Sequence, residues 1–272
     1  SRARGVRGCE RYGAHRTEAR DGGPAAFHSR VHMSAGSPAE ATVGLGEVLA
    51  NALLLDAPLL LAHDNDYGWW ENEEKLQKAR AKGYNMWGEY YPYDAGMTSV
   101  GSEFLRPAIW IDTYGNKYEE TLYDPRTDKF LTRATYDDLV AKDPGRLVVV
   151  YSLQRRKWID FWLRTPEMVV ATDAALGFGR DGKLLPWEAD YSEYAGHPRT
   201  SGANAKVLRL GREQGVPLMF ALSQLSYWSA KHLGDTGLEA MKERGRVQVG
   251  KIADLTLFDP KTVRDNATYK AG

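Results

Sequence analysis

The chain has 272 residues, 43% of them hydrophobic and 26% charged, which is ordinary for a globular protein and enough for one large domain with a real core. Its 36 Lys and Arg balance 36 Asp and Glu, so no net field draws nucleic acid or an anionic membrane, and neither is expected as a partner. No run reaches the ~20 apolar residues of a membrane span, and the lone Cys9 excludes an internal disulfide framework and a Cys-based zinc knuckle while fitting a reducing, cytoplasmic setting.

Residues 1–25 place Arg2, Arg4, Arg7, Arg11, Arg16 and Arg20 among Gly and Ala without apolar periodicity, and little regular structure is expected there. From Ala25 a rhythm begins in which short apolar runs end in polar residues. The runs are Ala25–His28, Pro58–His63, Tyr84–Tyr91, Arg146–Ser152 and Glu167–Asp173. Between the first two, Leu45, Val48, Leu49 and Leu53 recur at helical spacing within Gly44–Asp56. Trp69–Lys82 follows the second run with charges on one side and Leu76 and Ala79 on the other. Lys157–Leu163 has a similar helical character.

Strands alternating with helices predict a parallel sheet, because parallel neighbours need a crossover. An open dinucleotide-binding sheet is disfavoured, since no Gly-rich phosphate loop follows any strand. His28, His63, Glu89 and Asp173 each fall at or just past the C-terminal end of a predicted strand, the face on which (β/α)-barrels carry their chemistry. The expected fold class is therefore α/β, a partial (β/α)8 barrel over residues 26–244. Five strands are too few for a closed barrel, so its N-terminal side is expected to be incomplete. Gly101–Asp143 reads as an inserted excursion, and Gly177–Gly196 as a long loop.

Ala203–Gln214 and Leu218–Leu233 then read as two helices, separated by Gly215-Val216-Pro217, which offers a C-cap glycine and a first-turn proline. Residues 245–272 change character. Val247, Val249, Ile252, Leu255, Leu257 and Phe258 predict a short β-rich tail with a turn at Val249-Gly250-Lys251.

Several side chains at the predicted strand ends suit chemistry. In His63-Asp64-Asn65-Asp66, imidazole and carboxylate emerge directly from a buried strand and suit zinc, with Asp64 available to fix the histidine tautomer. The same residues also suit ordinary turn chemistry. Strand alternation puts His28, Arg30 and His32 on one face, where a guanidinium between imidazoles fits a substrate carboxylate, or simply a polar strand edge. Asp173 ends the run Met168-Val169-Val170-Ala171-Thr172, where desolvation is expected to raise its pKa for proton transfer; an N-cap aspartate is the alternative. His197 suits an oxyanion and Arg199 a carboxylate, or both are ordinary loop residues. Glu89-Tyr90-Tyr91-Pro92-Tyr93 suits a pocket wall, or aromatic packing. No Gly-x-Ser-x-Gly elbow and no His-Glu-x-x-His motif occurs.

Three stretches carry a family resemblance. One runs from His63-Asp64-Asn65-Asp66 through Ala81-Lys82-Gly83 to Tyr91-Pro92-Tyr93-Asp94-Ala95-Gly96. Another is Thr172-Asp173-Ala174 with Gly196-His197-Pro198-Arg199. The third is Gly245-Arg246-Val247-Gln248-Val249-Gly250-Lys251-Ile252-Ala253-Asp254-Leu255, continuing to Phe258-Asp259-Pro260. Together they resemble the D-aminoacylase branch of the amidohydrolase superfamily, the N-acyl-D-amino-acid deacylases.

The resemblance implies a zinc-dependent hydrolase of non-peptide C–N bonds acting on a small N-acyl amino acid. It implies that His63 is a zinc ligand in a site of one or two divalent ions, and that Asp173 shuttles the proton of the activated water. His28, Arg30, Tyr91, His197 and Arg199 become pocket residues. It also makes residues 245–272 the start of the return into a small β-sandwich. Two departures qualify the match. The opening His-x-His of these enzymes is absent, so further metal ligands are expected upstream of Ser1. Tyr91 also stands where D-aminoacylases proper carry histidine, and a phenol with a reference pKa of ~10 is the poorer ligand. A cyclic-amide hydrolase, a deaminase of the same superfamily and a metal-free binding protein built on the barrel are the rival readings.

Overall fold

The computed structural model describes residues 27–30 and 38–270, with side chains from Gly44 onward. In chain order the strands are β1 (Phe27–Arg30), β2 (Leu59–Ala62), β3 (Met86–Tyr90), β4 (Ala95–Ser99), β5 (Leu122–Asp124), β6 (Lys129–Phe130), β7 (Leu147–Tyr151) and β8 (Met168–Val170). The longer helices are α1 (Pro38–Leu54), α2 (Trp69–Ala81), α3 (Arg133–Lys142), α4 (Arg199–Glu213) and α5 (Trp228–Asp235). The chain divides into two compact units. The first holds the described residues up to Tyr90 with Thr165–Val170 and Met219–Phe258; the second holds Tyr91–Arg164, Ala171–Leu218 and the residues from Asp259 onward.

In the first unit β1, β2, β3 and β8 form a parallel sheet in that order. Four of the five predicted apolar runs are its strands. Helices α1 and α2 are the crossovers that parallel pairing requires. Leu45, Val48 and Ala52 of α1 pack with Leu59 and Leu61 of β2, Leu76 and Ala79 of α2, and Met86 of β3. The spacing 45, 48, 52 keeps one helical stripe on the sheet, and the step of two from Leu59 to Leu61 keeps both on the same sheet face. Leu218–Leu222, a π-helical turn at Ser223–Tyr227 and α5 make one interrupted helix, where the sequence predicts a continuous one.

The second unit differs from expectation. Its strands β4, β7, β5 and β6 form an antiparallel sheet in that order, so Leu147–Tyr151 is not a parallel barrel strand. The reason lies in its burial. Val148 faces a cluster with Leu105, Trp110, Tyr118 and Tyr136, while Val149 faces Ala95 and Tyr123. A strand covered on both faces is apolar throughout, the pattern that otherwise marks a parallel strand. The stretch Gly101–Asp143 is correspondingly well structured. It supplies β5, β6 and α3, whose N-cap Thr132 exchanges bonds with Thr135, and Tyr118 stacks on Tyr136 with ring centroids 4.4 Å apart.

Residues 245–270 contain no strand among the described residues, and Val247, Val249 and Leu257 are exposed. No helix among the described residues is long and apolar enough to cross a membrane.

Leu61 is 1% exposed within the first unit's core, so Leu61→Ala is expected to lower unfolding free energy by about 2–5 kcal/mol. Leu54→Ala, at an exposed position, is expected to stay within about 0.5 kcal/mol. Denaturant unfolding of both variants compares them directly.

Candidate functional site

The end of β2 builds one group of polar residues. His63 adopts a left-handed backbone, φ 59°, a conformation costly for a residue with a Cβ. Its N–H points at Glu89 Oε1, 3.4 Å away, and the Asp64 N–H donates to the Glu89 carbonyl at 2.9 Å. The β2–β3 pairing thus continues one step past the strand and holds His63 opposite Glu89. Asp64 turns inward instead of serving the His63 ring. Its Oδ1 accepts from Asn72 Nδ2 at 2.7 Å.

Asn72, Glu73, Leu76, Ala79 and Arg80 lie on one face of α2, so a single helix delivers both apolar packing and a buried acid. A Cβ at Gly88 would collide with Glu73 Oε1 and come within 2.8 Å of Asp64 Oδ2, so only glycine leaves room for this carboxyl pair. Burial pushes both acids up, Asp64 further by the neighbouring Glu73 charge. Glu73 reaches about 7, against the opposing pull of Arg80, whose Nη2 lies 3.2 Å from Glu73 Oε2. At neutral pH the pair retains a proton. Buried Asn65 has no hydrogen-bond partner on either amide atom.

A second group forms within the second unit. Asp173, also left-handed at φ 47°, accepts from Arg199 Nη2 at 2.8 Å. Its side chain is 35% exposed while that of Arg199 is 5% exposed. The strand ends at Val170, so Asp173 is an ion-paired, partly open carboxylate and not the desolvated strand end expected from the apolar run before it. The Arg199 guanidinium lies over the Tyr91 ring, 4.8 Å from its centroid, and the Tyr91 hydroxyl accepts from Arg155 Nη1 at 2.9 Å. Arg199 Nε is buried and has no hydrogen-bond partner.

His197 is fully buried. Its Nδ1 accepts from the Arg199 N–H at 3.0 Å, which leaves Nε2–H to donate to the Ala95 carbonyl at 2.9 Å. Burial and then the Arg199 charge hold its pKa well below the usual histidine value, so the ring is neutral. With both nitrogens taken by main chain, His197 anchors its surroundings and has no free N–H for an oxyanion, a correction to its expected role.

Of the residues singled out in the sequence, Tyr91, Asp173, His197 and Arg199 come together in the second unit, and His63 belongs to the first. His28 and Arg30 lie on β1, in register with Leu60 and Ala62; their side chains, and His32 entirely, lie outside the described residues. Arg155, Glu73 and Arg80 escape sequence reading. Arg155 sits in a basic run with no motif, and only the i, i+3, i+4 pattern of α2 hinted at Glu73. His63 and Glu89 offer donors suited to zinc. Among the described residues, however, no group of three or more His, Cys, Asp or Glu side chains is arranged to hold a metal ion.

Comparison with known proteins follows the same lines. No family model matches the chain. A D-aminoacylase from Alcaligenes xylosoxydans xylosoxydans is 27% identical over 227 residues, 79% of this chain and 42% of that protein. The crystal structure of N-acyl-D-glutamate deacylase from Bordetella bronchiseptica, complexed with zinc and a phosphonate mimic of the tetrahedral intermediate, has a TM-score of 0.65 at 21% identity. It covers 97% of this chain and 52% of its own. A D-aminoacylase structure with a binuclear metal centre also gives 0.65 at 21%, over 94% and 50% of the two chains. The chain spans about half the length of the relatives it matches. Its fold is shared with metal-dependent amidohydrolases. In sequence the chain is similar to that D-aminoacylase, and in fold to the deacylase structures.

A carboxyl whose folded pKa is raised binds more protons folded than unfolded, so stability is lost as pH rises through the shifted range. Unfolding free energy is therefore expected to fall between the ordinary glutamate value near 4.5 and about 7, by on the order of 1–3 kcal/mol. Glu73→Gln should flatten that part of the stability–pH curve; an unchanged slope would place the proton elsewhere.

Proposed function

We propose that this chain is the C-terminal part of a metal-dependent hydrolase that removes the acyl group from N-acyl-D-amino acids. The observation that carries the reading is the Asp173–Arg199 pair, partly open on the carboxylate side and braced beneath by His197. The parallel order β1-β2-β3-β8 with helical crossovers supports a partial (β/α)8 barrel. The alternating apolar residues after Gly245 support the start of a return into a β-sandwich.

Asp173 is assigned as the group that takes a proton from attacking water and returns it to the leaving amine. Its exposure lets water reach it, and the Arg199 pairing fixes its orientation. Arg199 is assigned to an anionic part of the substrate. Its planar fork is fixed by the Tyr91 face, and its spare Nε–H faces no competing acceptor. Arg155 holds Tyr91 from the hydroxyl side, so the platform does not tilt. His28 and Arg30 are assigned to substrate binding, and His197 to positioning.

His63 is assigned as one ligand of a zinc ion, with the remaining ligands outside the described residues. Zinc, when bound, polarises the amide carbonyl and brings the pKa of water near neutrality. The phosphonate bound by the Bordetella bronchiseptica deacylase is an anion of tetrahedral shape, and buried guanidinium groups are suited to such charge.

In the full-length protein Asp173→Asn is expected to lower kcat by at least a hundredfold with an unchanged melting transition; retention of more than a tenth of the parent rate would remove Asp173 from the proton path. Metal analysis of the same protein is expected to find zinc, with activity lost to a chelator and restored by zinc. Absence of metal together with indifference to chelation would favour a binding protein built on the same fold.

A further inference from the structure

The chain's last stretch has a role that its irregular backbone conceals. From Val263 onward it pairs with no strand among the described residues, yet its side chains alternate in burial. Val263, Asp265, Ala267 and Tyr269 are half-buried in the second unit, and Arg264, Asn266, Thr268 and Lys270 are exposed. Side chains replace the missing ladder. Arg212 Nη1 of α4 donates to the Val263 carbonyl at 2.9 Å, and Arg209 Nε meets Asp265 Oδ1 at 2.6 Å. Ala267 packs where α4 has Gly202. A Cβ at Gly202 would stand 3.1 Å from Ala267 Cβ and 2.6 Å from the Tyr93 hydroxyl, so α4 is cut away to admit both.

Tyr269 is the end point of this run. Its ring lies 5.2 Å from the His197 imidazole at 72°, and 5.0 Å from Tyr151. Its hydroxyl donates to Asp94 Oδ1 at 3.2 Å, while Arg156 holds Asp94 Oδ2. Asp94 immediately precedes Ala95, whose carbonyl accepts the His197 Nε2–H. Tyr269 therefore packs on the imidazole of that buried bond and is hydrogen-bonded to the residue before its acceptor. With Tyr91 and Tyr93, whose rings stand 6.1 and 5.1 Å from His197, it encloses the imidazole in aromatic edges and faces. Removing it opens a path for water to the His197–Ala95 bond.

We propose that Val263–Tyr269 is a strap built into the site, and that Tyr269 is a positioning residue acting through His197 on Arg199 and Asp173. The consequence for turnover rests on the hydrolase reading above; the consequence for His197 does not. The experiment is nitrogen-15 NMR of the histidine rings in the full-length protein, with the His197 signal assigned by its loss in His197→Gln. The parent is expected to show a slowly exchanging Nε2–H in a single tautomer.

In Tyr269→Ala that proton should exchange at least tenfold faster, and kcat should fall at least fivefold with KM within twofold. Tyr269→Phe, which keeps the ring and loses only the Asp94 bond, should restore most of the rate and exchange about two- to threefold faster than the parent. Asn266→Ala, on the outward face, should match the parent. A His197 N–H in Tyr269→Ala as protected as in the parent overturns the proposal, as does a fall in kcat unaccompanied by faster exchange. Should Tyr269→Ala fail to fold, Tyr269→Phe decides, and parent-like exchange there overturns it. A parent without any turnover would count against the hydrolase reading alone, since the exchange measurement still tests the strap.

Discussion

His197 spends both ring nitrogens on main-chain atoms, and the geometry of the second unit follows from that. Helix α4 starts at Arg199, and the first N–H groups of a helix have no partner within it. His197 Nδ1 takes the Arg199 N–H, and Nε2–H ties the same imidazole to Ala95 at the start of β4. The arrangement works only for a neutral ring in one tautomer. A second proton on the ring would remove the acceptor and place a cation beside Arg199, whose charge, together with burial, already holds the pKa down. The helix start fixes the backbone of Arg199, the Tyr91 face fixes its guanidinium, and the guanidinium fixes Asp173. Each link is short and buried except the last, where the carboxylate opens to solvent.

The first unit answers a similar need with the opposite charge logic. Between Asp64 and Glu73 two acids meet where neither is well hydrated, and a retained proton costs less than a second buried charge. Arg80 reaches Glu73, Glu167 and the Met86 carbonyl together, so α2 is tied to β3 and to the residue before β8 by one side chain. That polar seam lies under the turn at which His63 takes its left-handed backbone. A histidine in that conformation persists only if its surroundings hold it there, and the Glu89 backbone and side chain are the groups positioned to do so.

Much of the scaffold was legible in the sequence. Apolar runs between helical patterns located β1, β2, β3 and β8, and the Leu45, Val48 stripe located α1, because burial against a sheet leaves a periodic trace. Leu147–Tyr151 misled for a physical reason: a strand with apolar clusters on both faces carries no alternation, whichever way its neighbours run. The site was legible only in part. Asp173 and Arg199 could be chosen by residue type and place, but their pairing spans the long loop between them, and nothing local announces it. Arg155 and Tyr269 left no trace, since each acts by touching a residue more than sixty positions away. The π-helical turn at Ser223–Tyr227 likewise has no signature in a pattern read at 3.6 residues per turn.

Tyr91 gains a specific meaning from these contacts. Its phenol accepts from Arg155 and its ring lies beneath Arg199. A ring placed between two guanidinium groups stabilises both through its face while contributing no charge. Within the Asp173–Arg199 pair the carboxylate is the exposed member and the guanidinium the buried one. The open carboxylate is thus held on a guanidinium whose plane is set by an aromatic face, and that face is itself fixed at its hydroxyl by Arg155, so the orientation of Asp173 depends on three side chains in series.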